Sequence, residues 1–470
     1  MPLNATELLA ALATLAIQGG PPLRVRLIMA LRDAIRSGQL AAGTTMPSSR
    51  VLAKDLGVSR GVVVEAYAQL MAEGYVHSRR GSGTTVAGLP GTATWEPAPE
   101  APLRAIPSDA IDLRPSVPDL SFFPRGAWGA AVRRAIETTP APDLGYVEPW
   151  GAYVLRKEVA QYLSRVRGAM TSAGGMLIVH GVTQGIALIT GTLRRAGHEA
   201  IAVEDPSNAI QREHVRGADL QVVDVPVDEH GLRVDLLAES GVRAVICTPA
   251  HQYPTGAIMS AERRAHLRQW AQEVGGLIVE DDYDAEFRYG RDPVGCLQGL
   301  DPEHVALLGS VSKSLAPALR LGWLAPPPQL LPALRTAKSH ADYGGDAFQQ
   351  HALAGLIASG AYDRQLRAVR RRYGARREAF AAALEAHLPG WRVMGSAGGL
   401  HVTVLLPDGV PENELIEAAR AAGVMVLGAS AMSGTYRYHP ALVLSYAGSA
   451  ADMLEEAVMR LSRATAKIGA

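Results

Sequence analysis

VALLGSVSKSLAPALRLGW, from Val305 to Trp323, is the stretch whose reading decides the rest of the chain. The apolar run VALLG has the length and composition of a buried strand. It runs into a Ser/Lys cluster, and Pro317, Arg320 and Gly322 then predict an end to regular structure. Lys313 thus stands just past a strand end, flanked by Ser310, Ser312 and Ser314, with Arg320 seven residues further on. A lysine deprotonated by burial or by neighbouring cations can form an imine with an aldehyde. Hydroxyls and a forked guanidinium are the groups that hold a phosphate monoester. An aldehyde and a phosphate on one small molecule is the pattern of pyridoxal phosphate. S-x-S-K by itself is more often a solvated loop, so the reading depends on companions elsewhere.

Those companions lie at other strand ends. From Ile111 onward strand and helix patterns alternate, which predicts an α/β domain with a mainly parallel sheet. The strand candidates are GMLIVHG, AIAVED, LQVVDV, AVICTP, GLIVEDDY and VALLGS, and in such a sheet functional groups gather beyond the carboxyl ends of the strands. HGVTQG, His180 to Gly185, opens a helix whose amides, with Thr183 and Gln184, can cradle phosphate. GLIVE ends in Asp281, Asp282 and Tyr283; a carboxylate there can keep a pyridinium nitrogen protonated, and Tyr283 can bond a ring hydroxyl. HQYPTG, His251 to Gly256, is a turn able to line the ring edge through Tyr253. Singly these are a glycine turn, an acidic cluster and a Pro-Gly loop. Together with Lys313 and Arg320, and in this order, they argue against coincidence.

The totals set bounds. A chain of 470 residues, 48% hydrophobic and 20% charged, is long enough for several domains and has the composition of a soluble globular protein. Its two cysteines, Cys247 and Cys296, form neither a disulfide framework nor a zinc spacing, which predicts a cytoplasmic protein without a metal site. No run reaches the length of a membrane span, and the first 20 residues, interrupted by Glu7 and lacking a basic start, read as a short docking helix. The formal net charge of zero conceals an asymmetry. Residues 21–90 hold nine Lys/Arg against four Asp/Glu, leaving 37 against 42 for the remainder. A basic module on a mildly acidic body points to nucleic acid for the module alone.

That module has its own periodicity. Leu23, Leu27, Leu31 and Ile35 predict one helix ending at Ser37-Gly38. AAGTTMP reads as a turn, followed by a second helix from Ser48-Ser49 that Gly57 stops. Ser59 is the expected cap of a third helix closed by Gly74. Two short helices joined by LGVSR have helix-turn-helix spacing. Arg60 and Ser59 stand where a recognition helix meets a groove, while Arg50 and Lys54 suit phosphates. Arg79, Arg80 and the glycines Gly81 and Gly83 form a basic tip between two strands, suited to a minor groove.

Residues 21–88, including PSSR, LGVSR and RRGSGT, resemble the winged helix-turn-helix domain of GntR-type bacterial regulators. The body from about residue 111 to 460 resembles fold-type-I pyridoxal-phosphate aminotransferases. The fusion of the two resembles the MocR subfamily, on DLRPSVPDLSFFP, GYVEPWGAYVLR, GVTQGIALI, HQYPTG, VEDDYDAEFRY and GSVSKSLAPALRLGW. The fold class expected is therefore multidomain: a winged helix-turn-helix, mainly α with a small β wing, and an α/β aminotransferase-like body with a smaller α+β lobe. The boundaries expected are a docking helix 1–20, a DNA-binding domain 21–88, a Pro/Ala-rich linker 89–110, and a body 111–470. Within the body, about 140–335 forms the large domain, with 111–139 and 336–470 in the lobe. The resemblance implies pyridoxal 5'-phosphate as cofactor. It makes Lys313 the imine lysine, Asp281 (or its neighbour Asp282) the pyridine-nitrogen partner, and Tyr283 the ring-hydroxyl partner. Ser310, Ser312 and Arg320 become phosphate ligands. It also implies operator DNA and a second copy of the chain as partners, and it brings Tyr446-Ala447 to the substrate side.

Three departures from the transaminase pattern shape the functional expectation. The arginine that would clamp an α-carboxylate, in a late R-x-S-F-A-like strand, is replaced by Val443 in LVLSYA. The aromatic expected in the E-D-P-x-Y turn is Asn208, and the asparagine expected before P-T-G is Tyr253. Little or no turnover of ordinary α-amino acids is expected, because a carboxylate left unpaired in a desolvated site is costly. The reading is a regulator that senses pyridoxal phosphate, or an amine or amino acid held by groups such as Arg437 or His439. Its alternatives are a working aminotransferase with an accessory DNA-binding module, and a dimerisation scaffold without cofactor. The arginine-rich helix from Tyr362 to Leu388 is expected to present a solvated face.

Overall fold

The computed structural model describes residues 21–79, 83–88, 110–115, 118–146, 148–289, 294–395 and 398–468. The expected docking helix, Arg80, Gly81 and most of the linker lie outside the described residues. The chain divides into two compact units, Met1–Ala105 and Ile106–Ala470.

In the first unit, α1 (Leu23–Arg36) is followed by β1 (Thr45–Met46), α2 (Ser49–Asp55), α3 (Arg60–Ala72), β2 (Val76–Arg79) and β3 (Gly83–Val86). The apolar stripe of α1 buries Leu27, Leu31 and Ile35 against Leu52, Val63, Leu70, Val76 and Val86. Removing each such side chain from water contributes about 1.5–3 kcal/mol. Ser48 caps α2 by accepting from the Val51 amide at 3.3 Å. Ser59 holds the N-cap position of α3, but its side chain makes no capping bond, contrary to expectation. Two tethers set the angle between the helices. Tyr67 donates to the Pro47 carbonyl at 2.9 Å, and Arg32 forks onto Glu73 at 2.7 and 3.1 Å. β3 lies between β1 and β2, both antiparallel to it. β1 falls within the stretch read as a turn, since two residues are too short to show alternation.

The second unit opens with β4 (Ile111–Asp112), α4 (Arg125–Thr138) and α5 (Tyr153–Arg167). Its main sheet is formed by β5 (Leu177–Val179), β6 (Ala200–Asp205), β7 (Gln221–Asp228), β8 (Gly231–Leu232), β9 (Ala244–Cys247), β10 (Leu277–Asp281), β11 (Val305–Ser310) and β12 (Gly322–Ala325). The spatial order is β5-β12-β11-β10-β9-β6-β7-β8. The strands from β11 to β7 run parallel, and the nearly unbroken burial of β6, β9, β10 and β11 explains why they read as continuous apolar runs, whereas β7 is half-buried. β12 is antiparallel to both β11 and β5. The expected end of regular structure at Pro317–Gly322 is therefore corrected. A short 3-10 turn, Pro317–Leu319, leads directly into β12. That reversal starts β12 at the edge of the sheet where the parallel strands end. Arg320 is thereby brought to the same edge as Lys313.

The crossover helices are α6 (Gly181–Arg195), α7 (Ala209–Gly217), α8 (Val234–Glu239) and α9 (Ala261–Val274), followed by α10 (Leu331–Asp342), α11 (Ala347–Ala358) and α12 (Ala361–His387). A smaller sheet joins β13 (Arg392–Met394), β14 (His401–Leu405), β16 (Leu427–Gly428) and β17 (Ala441–Ser445), while β15 (Val424–Met425) pairs with β4. Helices α13 (Glu412–Ala421) and α14 (Ala451–Lys467) cover this part. The arginines of α12 are not all solvated. Arg376 pairs with Asp119 at 2.7 Å, Arg370 donates to the Glu286 carbonyl at 2.8 Å, and Arg372 lies 4.4 Å from the centre of the Phe122 ring. Among the described residues no helix is long and apolar enough to cross a membrane.

Candidate functional site

Five parallel-running strand ends and the start of β12 converge on one cavity of about 290 Å³. Its lining includes Thr183, Asn208, Gln211, Thr248, Tyr253, Asp281, Tyr283, Ser310, Ser312, Lys313, Arg320 and His401. Most of the residues singled out in the sequence therefore meet in one place, although they are far apart along the chain.

At one wall Arg320 has left-handed backbone (φ 49°) and donates from Nη2 to the His180 carbonyl at 2.6 Å, so its guanidinium lies across the N-terminus of α6. Gly181 permits this approach. It has φ 78°, and a Cβ there would stand 3.0 Å from Nη2 of Arg320. Helix amides, Thr183, Ser310, Ser312 and a fixed guanidinium are groups able to hold a dianionic phosphate. Gln184, expected in this cradle, is a correction. Its side chain accepts from the His180 amide at 2.8 Å and donates to Asp342 at 2.7 Å, so it braces the helix from behind. Ser314 likewise turns away and bonds Tyr362 at 2.8 Å.

Lys313 follows β11 in a buried turn. Burial lowers its pKa from the ordinary lysine value, against the opposing pull of Asp284 and Asp281. Such a lysine has more of its amine in the nucleophilic form. Asp281 and Asp282 are now separated. Asp282 is turned out of the cavity into a buried ion pair with Arg167, at 2.7 and 3.0 Å. Asp281 faces the cavity, where Gln211 donates to its Oδ2 at 2.8 Å and its Oδ1 is buried without a partner. Burial raises the Asp281 pKa to about 7. An orphaned carboxylate oxygen in a cavity of this kind is a prepared acceptor for a cationic N–H donor.

Tyr283 meets His251 Nδ1 at 2.9 Å, and Asp284 accepts from the same nitrogen at 2.9 Å. Tyr253 is held by its amide on Thr248 Oγ1 (3.1 Å), and Thr248 is itself bonded to the buried Glu204 at 2.6 Å. Asn208 serves as the N-cap of α7, accepting from the Ile210 amide at 3.0 Å. Gln211, Thr248 and His401 escaped the sequence reading. Gln211 sits one helical turn beyond Asn208, which is the signal that could have found it. His401 comes from β14, and nothing local marks it.

The groups proposed for a carboxylate end need further correction. Arg437 is exposed, and His439 is nearly half-exposed and faces Asp408 at 3.3 Å; neither lines the cavity. Tyr446 is fully buried and donates to the carbonyls of Gly398 and Gly399, so it is a structural post of the lobe. Val443 lies in β17 opposite Thr403, buried among Ala429, Met432 and Ala441, with Tyr253 packed on that cluster. In the N-terminal unit Arg50, Lys54, Ser59 and Arg60 are exposed along one side of the α2–α3 turn, with Arg60 Nε 3.4 Å from Ser49 Oγ. Gly83 starts β3 at φ 82°, and Arg79 pairs with it in register.

A winged helix-turn-helix joined to an α/β body with a lysine-bearing cavity is the architecture of a transcription regulator built on an aminotransferase fold. Residues 23–86 match the family of bacterial regulatory proteins of the gntR type, and residues 124–461 match aminotransferase class I and II. The chain belongs to the GntR-type regulators that carry such a body, the MocR subfamily. It is 33% identical over 439 residues to the HTH-type pyridoxine biosynthesis transcriptional regulator PdxR of Corynebacterium glutamicum, covering 92% of this chain and 94% of that one. It is 30% identical to the probable rhizopine catabolism regulatory protein MocR of Rhizobium meliloti, covering 94% of each. Among solved structures it is similar to the kynurenine aminotransferase of Pyrococcus horikoshii, with TM-score 0.71 and 26% identity over 77% of this chain and 92% of that one.

Proposed function

We propose that the body binds pyridoxal 5'-phosphate and that its occupancy sets the affinity of the N-terminal domain for operator DNA. The observation that carries this reading is the orphaned Oδ1 of Asp281 in the same cavity as Lys313 and Arg320. A phosphate fits the Arg320, Ser310, Ser312 and Thr183 wall, a protonated pyridine fits Asp281, a ring hydroxyl fits Tyr283, and an aldehyde fits Lys313. Tyr253, which lines the same cavity, would flank the ring. When bound, the cofactor supplies an electrophilic aldehyde and an electron-withdrawing ring. Gln211 holds Asp281 in place, Asp284 and His251 orient Tyr283, and Gly181 lets Arg320 lie over α6.

Turnover is not the function we assign. Val443 leaves the usual carboxylate clamp without a cation, so the fold serves binding. The leading effector is pyridoxal phosphate itself, in keeping with the relative named for pyridoxine biosynthesis. Operator contact is assigned to Arg50, Lys54, Ser59, Arg60 and the Arg79–Gly83 tip, and the working form to a homodimer on paired half-sites. The exposed Tyr146, edge-on to Tyr343 at 5.7 Å, supports a covering second copy. The test is operator binding by apo-protein titrated with pyridoxal phosphate alone. Affinity should change as the cofactor band appears; an operator affinity indifferent to cofactor overturns the reading. Light scattering showing a monomer at micromolar concentration overturns the dimer.

A further inference from the structure

The cavity has a second polar wall that the cofactor reading leaves unused. His401 at the start of β14 is almost fully buried, yet its ring lines the cavity beside Tyr253 and Leu400. Its Nε2 lies 3.1 Å from the Pro254 carbonyl, which also accepts from Thr403 Oγ1 at 2.6 Å. A carbonyl can only accept, so Nε2 must carry the proton. Burial and the neighbouring His251 push the His401 pKa down to about 4, so the ring is neutral at physiological pH. A neutral imidazole with its proton on Nε2 presents a lone pair at Nδ1. Among the described residues no side chain or backbone group bonds that nitrogen. It is therefore an unengaged acceptor on a ring that lines the cavity.

The surroundings fix what can enter. Among the described residues lining the cavity, the cations are Lys313 and Arg320, and Arg320 is committed to the α6 wall. Beside His401 stand the Tyr253 ring, edge-on at 5.1 Å, and Leu400, and Tyr253 in turn packs on the apolar cluster that contains Val443. Asn208 offers a neutral amide whose oxygen is already engaged on Ile210. A carboxylate arriving here would meet a lone pair and aliphatic carbon, without a charge to replace its water. A hydroxyl or an amine N–H would meet a ready acceptor.

Resting on the pyridoxal-phosphate reading, we propose that His401 selects a co-ligand: a small primary amine that carries a hydrogen-bond donor, such as a hydroxyl, and lacks an α-carboxylate. His401 acts as a specificity residue through its Nδ1 acceptor, and Val443 acts by withholding the clamp.

The experiment uses full-length protein saturated with pyridoxal phosphate and three probes of one skeleton: ethanolamine, ethylamine and L-serine. Binding is read by calorimetry and by operator affinity, so that turnover plays no part. Ethanolamine should bind roughly five- to tenfold more tightly than ethylamine, the worth of one hydrogen bond, and more than tenfold more tightly than L-serine. In His401→Phe the ethanolamine-to-ethylamine ratio should fall to about one, because the ratio cancels any general loss of fit. Val443→Arg should improve L-serine binding relative to ethanolamine. L-serine binding as well as ethanolamine in the unmodified protein, an unchanged ratio in His401→Phe, or no amine binding to the loaded protein each overturns the proposal. A protein that takes up no pyridoxal phosphate fails earlier, at the absorbance spectrum, and refutes the function proposed above instead.

Discussion

Asp281→Asn should make the empty protein more stable while weakening its hold on the cofactor. Burial lifts the Asp281 carboxyl from 3.8 to about 7. At 1.36 kcal/mol per unit, the ionised form costs the apo fold about 4 kcal/mol at pH 8. The sign follows from linkage. A carboxyl whose folded pKa is raised adds stability that is fully present below its unfolded pKa and is lost as pH rises through about 7. Asparagine never ionises and can keep its oxygen on Gln211 Nε2, while its own amide takes the place of the orphaned oxygen beside the cavity. Allowing about 1 kcal/mol for that amide, the variant should gain about 2–3 kcal/mol above pH 7. The body's melting transition should then rise by roughly 3–4 °C. The gap between the two proteins should close as pH falls from 7 toward 4, since the other buried carboxyls are common to both. Cofactor affinity should fall about ten- to a hundredfold, the worth of a charge-assisted hydrogen bond. The assay is thermal unfolding of apo-protein across pH, paired with cofactor titration. An apo variant no more stable than its parent at pH 8, or a gap that does not change with pH, refutes the burial argument. Undiminished cofactor affinity refutes the role given to Oδ1.

Lys313→Ala should abolish the borohydride-reducible attachment of pyridoxal phosphate; a protein still labelled at another lysine, located by mass spectrometry, contradicts the assignment. Gly181→Ala places a methyl group against Arg320 in a left-handed backbone, and should weaken both pyridoxal phosphate and inorganic phosphate, checked by titration of each. Arg167→Ala strands Asp282 without its buried partner and should cost about 3–5 kcal/mol in denaturant unfolding, with the cofactor wall untouched. Arg50→Ala combined with Arg60→Ala should weaken operator binding across sequences and lower the slope of log K against log salt by about one unit for each phosphate no longer neutralised. Unchanged affinity and slope place the DNA-binding surface elsewhere.

The central strands β6, β9, β10 and β11 were legible because parallel strands buried on both faces are written as nearly unbroken apolar runs. Lys313, Asp281, Tyr283, Ser310 and Arg320 were legible because such a sheet exposes its chemistry at strand ends, a rule of topology that needs no coordinates. The helices of the N-terminal module could be read from four-residue apolar spacing and from glycines that stop each helix. The division of labour between Asp281 and Asp282 could not. Adjacent residues at a strand end point in opposite directions, and only the fold decides which meets Arg167 and which meets the cavity. Gln184 failed for a related reason: a helix N-terminus offers backbone amides to a ligand, while a side chain four residues on follows the neighbouring helix. β12 was missed because antiparallel return strands of four residues carry no period of their own. His401 comes from another sheet, 88 positions beyond Lys313, and becomes part of the site only when the small lobe packs on the large one. The sequence by itself determined which chemistry the chain carries. The packing of one layer against another decided which of those groups face the same space.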